Sequence, residues 1–286
     1  MQQLAENVYL EDQFAGVTLG AINLPHGLIQ IDAPPSMDDS RTWRATLLNL
    51  GGGVERILIN LDAHPDRTLG ARAMDCTVMA HEKTAQAFRN RPNTFKPQVE
   101  ETGADWEQFS GMGNVRWVPP EITFTERMVI EWSGTSIVLE HHPGPSAGSI
   151  WVILPKQKVI FVGDTVMKQQ PPFLAWANIP LWLESLEKLQ SREYHHYAVV
   201  SGRGGTVSAA VIQSQRDLLT RVQAELDKFA SKYPALQMVE PLVQPLMSMI
   251  RVPAARQKQY AQRLRHGLQR YYSRHYHRLE GAETEE

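Results

Sequence analysis

Cysteine is nearly absent from this 286-residue chain, where Cys76 stands alone. One thiol excludes an internal disulfide framework and fits a reducing compartment, and a lone cysteine of this kind reads as a small core residue. Long apolar runs are missing as well. No stretch of about 18 apolar residues occurs, and the opening MQQLAENVYLED has no basic segment leading into an apolar one. Charge of one sign is not in excess either: 29 Lys and Arg face 31 Asp and Glu, a net of −2. That balance supplies no whole-protein drive toward nucleic acid or a membrane surface. Walker, dinucleotide-binding, nucleophile-elbow and paired-cysteine metal motifs are lacking. The expectation is a soluble cytoplasmic protein with no membrane span and no nucleic-acid partner.

What is present is an alternation of short β-rich runs and amphipathic segments. Val8-Tyr9-Leu10, Val17 to Ile22 and Gly27 to Asp32 read as an antiparallel meander. Pro34-Pro35 breaks it, Asp38-Asp39-Ser40 offers helix caps, and Trp43, Leu47 and Leu48 recur at helical spacing up to Gly51-Gly52-Gly53. Ile57-Leu58-Ile59 and Thr77 to Ala80 read as buried parallel strands, the second followed by a helix from His81 to Phe88. Residues 89–116 lack periodicity and read as a surface excursion, with a helical turn around Asp105 to Phe109. A second strand-rich run covers Ile122 to Val162, then come an apolar loop at Pro171 to Trp176, a helix at Leu181 to Leu189, a strand at Ala198-Val199-Val200 and a long helix to Phe229.

Polar groups gather where the strand at Ile57 stops: Asp62, His64, Asp66 and Arg67. In open α/β sheets, ligands bind beyond the carboxyl ends of the strands, so acid and imidazole groups there mark a candidate site. His141-His142-Pro143-Gly144-Pro145, Gly163-Asp164-Thr165 and Ser201-Gly202-Arg203-Gly204 close later strands in the same way. Taken in this order, the four stretches resemble the metal motifs of the metallo-β-lactamase superfamily, and the resemblance runs from Val8 to about Phe229. It implies a four-layer αββα sandwich, and a change of texture after Lys232 divides the chain into a family-like domain over residues 1–232 and a helical, basic extension over 233–286.

The resemblance also implies two zinc ions, and the residues depart from that. His64, Asp66 and Asp164 keep the family's identities, whereas Asp62, Arg67, Pro145 and Arg203 stand where histidines are expected. Zinc needs lone-pair donors at roughly 2.0 to 2.3 Å. Guanidinium offers none, and neither does a proline side chain. The expectation is that Arg67 and Arg203 replace the second metal electrostatically and that no metal binds. The chain would then be a small-ligand-binding or interaction protein, with a pocket formed by Asp62, His64, Asp66, Arg67, His142, Asp164 and Arg203 and suited to a small anion. The alternative is a hydrolase holding one Zn, Fe or Mn ion at Asp62, His64 and Asp164, with Asp66 orienting the attacking water. A family branch of mononuclear zinc enzymes carries an NxHxDR pattern close to Asp62 through Arg67, but it keeps the histidine that Arg203 replaces.

Ala254 to Leu279 reads as a helix with Tyr260, Leu264, Leu268 and Tyr271 on one face and Arg263, Arg270, Arg274 and Arg278 on the other. The basic face is expected to be solvated. The aromatic face could serve a homo-oligomer, and His141 and His142 are expected to be satisfied by backbone.

Overall fold

The computed structural model describes residues 1–97, 101–232 and 239–276. Two sheets carry the fold. The first runs β1 (Gln2–Ala5), β2 (Val8–Glu11), β3 (Leu19–Leu24), β4 (Gly27–Ile31), β5 (Glu55–Ile59), β6 (Thr77–His81) and β7 (Ile122–Phe124), antiparallel up to β4 and parallel from there. The second contains β8 (Arg127–Trp132), β9 (Thr135–His141), β10 (Ile150–Leu154), β11 (Val159–Phe161), β12 (Ala198–Val200) and β13 (Thr206–Val207), in spatial order β13-β12-β11-β10-β9-β8. Only β11 and β12 pair in parallel there.

Alternation along the strands builds the layers. Ile137, Leu139, Ile150, Val152 and Leu154 face Ile22, Ile29, Ile31 and Ile59 across the inter-sheet core. Their sequence neighbours Val138, Trp151 and Ile153 point outward, under helices α5 (Ile179–Leu189) and α6 (Ala209–Lys232). On the other side, Leu19, Ala21, Leu28, Leu58 and Val78 lie beneath α1 (Met37–Leu48) and α3 (Ala71–Met74). Trp43 and Leu47 of α1 are buried there, while Leu48 is exposed. The remaining helices are α2 (Pro65–Thr68), α4 (Glu82–Arg89), α7 (Glu240–Met247) and α8 (Gln257–His275). The result is the αββα sandwich expected from the sequence.

The C-terminal helices belong to the outer layer. Leu242, Val243 and Leu246 of α7 join Tyr260, Leu264, Leu268 and Tyr271 of α8 in the same cluster as α5 and α6. The aromatic face of α8 is therefore spent on the chain's own core. Arg263 corrects the sequence reading: it is fully buried rather than solvated, because it sits between Tyr260 and Leu264 on the packed face of the helix. Arg278 and Leu279 lie outside the described residues. Among the described residues, no helix is long and apolar enough to cross a membrane.

Candidate functional site: a buried guanidinium–carboxylate network

The site gathers at the carboxyl ends of four strands. Asp32 follows β4 in a left-handed conformation (φ 59°), and Asp62 follows β5. Asp164 sits in the short 3-10 turn Gly163–Thr165 after β11, and Arg203 in the turn after β12. That last turn is held by Ser201 Oγ, which donates to the carbonyls of Arg203 and Gly205. Gly202 is required in it, since a Cβ there would come within 2.5 Å of Asp164 Oδ1 and of the Gly163 carbonyl carbon.

Two fully buried guanidiniums organise the acids. Arg67 NH1 donates to Asp32 Oδ2 at 2.6 Å and NH2 donates to Asp164 Oδ1. Its Nε lies 2.9 Å from Asp62 Oδ1, close enough for an ion pair but without the in-line geometry of a hydrogen bond. Arg203 NH1 donates to Asp66 Oδ2 at 2.6 Å and to Asp105 Oδ2 at 3.4 Å. Its Nε and NH2 take Asp164 Oδ1 and Oδ2 at 3.1 and 3.2 Å, and NH2 also donates to His64 Nδ1 at 3.2 Å. Asp164 thus bridges the two arginines, which is why it is held well below the ordinary carboxylate range despite its burial.

The other groups follow from this arrangement. Burial pushes the Asp32 carboxyl up to about 6 against the pull of Arg67, and it raises Asp62 in the same way. His64 caps α2, its Nδ1 accepting from the Asp66 backbone N–H at 3.2 Å. With Asp66 N–H and Arg203 NH2 both aimed at Nδ1, the proton of the neutral ring belongs on Nε2. Burial and the nearby Arg203 charge keep the imidazole well below its usual range. Asp66 is fully buried and accepts from the backbone N–H groups of Asp105 and Trp106 at 3.2 and 2.6 Å.

Of the pocket residues expected from the sequence, the structure brings together Asp62, His64, Asp66, Arg67, Asp164 and Arg203. His142 is placed elsewhere: its ring stacks on Trp151 at 3.5 Å and its Nε2 meets Glu140 Oε2 at 3.3 Å. That hydrogen bond, with help from Lys188, lowers the Glu140 carboxyl to about 2. His141 stacks on His81 and bonds the Ala147 carbonyl.

Asp32, Asp105, Gln170, Phe173, Arg256 and Arg263 also take part, none of them among the pocket residues expected from the sequence. Asp105 enters on the 3-10 turn Asp105–Gln108 and meets Arg256, Arg263 NH2 at 3.0 Å and Arg203. Arg263 also donates to Gln170 Oε1 at 2.6 Å and to the Gly103 carbonyl at 3.0 Å. Phe173 roofs the network, with Arg263 and Arg203 over its ring at 4.1 and 4.6 Å and the His64 ring at 4.3 Å. Asp32 had a legible signal, an acid closing a strand as Asp62 and Asp164 do. Asp105 had none, because nothing periodic surrounds it.

Gly16 shows how tightly this region is closed. It has φ 81°, and a Cβ there would meet Asp105 Cβ at 2.5 Å and Asp66 Cγ at 3.3 Å. Gly16→Ala is expected to cost about 2–3 kcal/mol through left-handed strain and steric overlap, read as a lower midpoint in urea unfolding.

The donor set does not fit a zinc centre. Asp62, Asp66 and Asp164 each face a guanidinium, and the Nδ1 lone pair of His64 faces Arg203. A dication there would lie against two buried positive charges. Among the described residues, no group of three or more His, Cys, Asp and Glu side chains is arranged to hold a metal ion.

Residues 63–199 match the family model described as the metallo-beta-lactamase superfamily. Solved structures with a similar fold include a metallo-beta-lactamase from Pontibacter korlensis, with TM-score 0.58 and 19% identity over 77% of this chain and 97% of that one. A metallo-beta-lactamase family protein from Thermus thermophilus aligns with TM-score 0.62 and 19% identity over 95% of this chain and 94% of its own. The stereoselective inverting sec-alkylsulfatase Pisa1 from Pseudomonas sp. reaches TM-score 0.68 at 13% identity, over 98% of this chain and 50% of its own. The chain spans half the length of that sulfatase, and identities this low speak for the fold alone. No curated protein matches the sequence.

Proposed function

We propose that this chain, which has the metallo-β-lactamase fold, is a ligand-binding or interaction protein in which a guanidinium network fills the chamber that the fold offers to metals. One observation carries the reading: Arg203 reaches Asp66, Asp105, Asp164 and His64 with a single guanidinium. Arg67 does the same for Asp32, Asp62 and Asp164. A metal could enter only by displacing both cations and leaving their carboxylates to be compensated anew, at the cost that a broken buried ion pair carries. Asp66, the group expected to orient water, has its oxygens taken by Arg203 and two backbone N–H groups. A small anion at Arg67 or Arg203 would likewise compete with carboxylates already seated there, so ligand or partner contacts are placed elsewhere on the surface. The segment beyond residue 232 serves the same structure, since Arg256 and Arg263 complete the shell of Asp105. The single cysteine supports a cytoplasmic setting.

Protein purified without chelator is expected to hold far less than one zinc, iron or manganese ion per chain. Excess EDTA should leave Tm unchanged, and added zinc should not raise it, because a ligand of the folded state alone would do so by mass action. Stoichiometric metal that Asp62→Ala abolishes would overturn the proposal in favour of a single-metal hydrolase at Asp62, His64 and Asp164.

A further inference from the structure

We propose that the cavity between α3 and the segment 111–116 binds a small organic anion through the guanidiniums of Arg72 and Arg116. The cavity has a volume of about 340 Å³ and is lined by Met37, Arg72, Gly111, Asn114, Val115 and Arg116. Its charge is one-sided, with two arginines and no carboxylate among the lining residues. Of the acids near it in sequence, Asp38 accepts from Arg41 at 2.8 Å and Asp75 from Arg44 at 3.0 Å, and none lines the cavity. Among the described residues, neither Arg72 nor Arg116 forms an ion pair or a side-chain hydrogen bond, in contrast to the arginines of the buried network.

The two arginines stand on fixed backbone. Arg72 follows Gly70, whose α-carbon is packed so closely that a Cβ would lie 2.0 Å from Ser40 Oγ and 2.2 Å from the Pro34 carbonyl. Arg116 pairs with Thr94 in an isolated β-bridge, and the neighbouring Val115 carbonyl accepts from Phe95 N–H at 2.7 Å. Both side chains are free at the surface, so binding need not break an existing contact. Two guanidiniums around one opening repel each other, and an oxyanion that engages both removes the repulsion while gaining charge-assisted, forked hydrogen bonds. Met37 and Val115 supply an apolar wall for the ligand's organic part and Asn114 an amide. The volume lies at the lower end of the range for small-molecule sites, roughly 300–1,000 Å³, which suits a ligand the size of an aryl phosphate. The site is separate from the buried network, and a metal found at Asp66 and Asp164 would leave it standing.

Calorimetric titration of the full chain with phenyl phosphate tests this, with phenol as the uncharged control and inorganic phosphate as competitor. The expected result is saturable one-to-one binding of phenyl phosphate, displaced by inorganic phosphate, with no binding of phenol. Arg72→Gln and Arg116→Gln should each weaken it at least tenfold, with unchanged circular dichroism and Tm because both side chains are exposed, and binding should be lost in the double variant. Absence of saturable phenyl phosphate binding, equal binding of phenol, or binding retained by the double variant would overturn the proposal. Because these variants leave Arg67 and Arg203 in place, metal content of the same samples reports on the buried network independently.

Discussion

Arg203→Met is expected to lower the unfolding free energy by about 3–5 kcal/mol, the cost of leaving buried charges without their partner. The substitution keeps much of the side-chain volume, so little of the loss would come from a cavity. It comes from Asp66, Asp105 and Asp164, which are almost wholly buried and share this one guanidinium. Asp164 retains Arg67 and Asp105 retains Arg263 and Arg256, but Asp66 keeps only backbone N–H donors. Arg203→Lys should recover little, because an ammonium is a compact point charge and cannot reach Asp66, Asp164 and His64 in one plane. Urea unfolding followed by circular dichroism measures both variants, with the wild-type midpoint as reference. A loss below about 1 kcal/mol for the methionine variant, the range of an exposed ion pair, would show that the network contributes no more than a surface salt bridge.

The second large effect concerns the C-terminal helix. Arg263→Met should cost about 3 kcal/mol and should loosen α8 specifically, because Arg263 ties it to Asp105, to Gln170 and to the carbonyl of Gly103. The close approach depends on Gly103, where a Cβ would lie 2.6 Å from the Arg263 backbone nitrogen. Hydrogen exchange should therefore quicken in Gln257–His275 and in residues 101–108 before it does in the central strands, as local opening of a cooperative unit predicts. Arg265→Met serves as the control. Its partner Glu240 is exposed, so the expected change is about 1 kcal/mol or less. An exchange profile of α8 that Arg263→Met leaves unchanged would mean that Tyr260, Leu264 and Leu268 hold the helix unaided.

The fold was legible because its signals are local and repeated. The alternation Ile137-Val138-Leu139 and Ile150 through Leu154 places successive side chains in two different cores, and the acids that close strands mark the site at Asp62 and Asp164. That Arg67 and Arg203 cannot ligate a metal was legible as well, since a guanidinium offers no lone pair. The far side of the network was not. Asp105 lies in a segment without periodicity, and Arg256 and Arg263 lie far along the chain from it, in the C-terminal helical segment. Arg263 has the spacing of a buried position, next to Leu264 and three residues beyond Tyr260, but an arginine on a helix face reads as solvated unless its counter-ion is known. His142 sits in a motif that resembles a ligand turn, yet its ring lies flat on Trp151, a contact made across a strand pairing that no local pattern announces.

A crystal structure of the chain grown with excess zinc, with diffraction recorded at the zinc absorption edge, tests the central claim most directly. The account predicts no anomalous peak between Asp66 and Asp164, with the Arg203 guanidinium bridging the two carboxylates and Arg67 spanning Asp32, Asp62 and Asp164. An ordered zinc ion bound by Asp164 together with Asp66 or His64, with either guanidinium turned away, would contradict it.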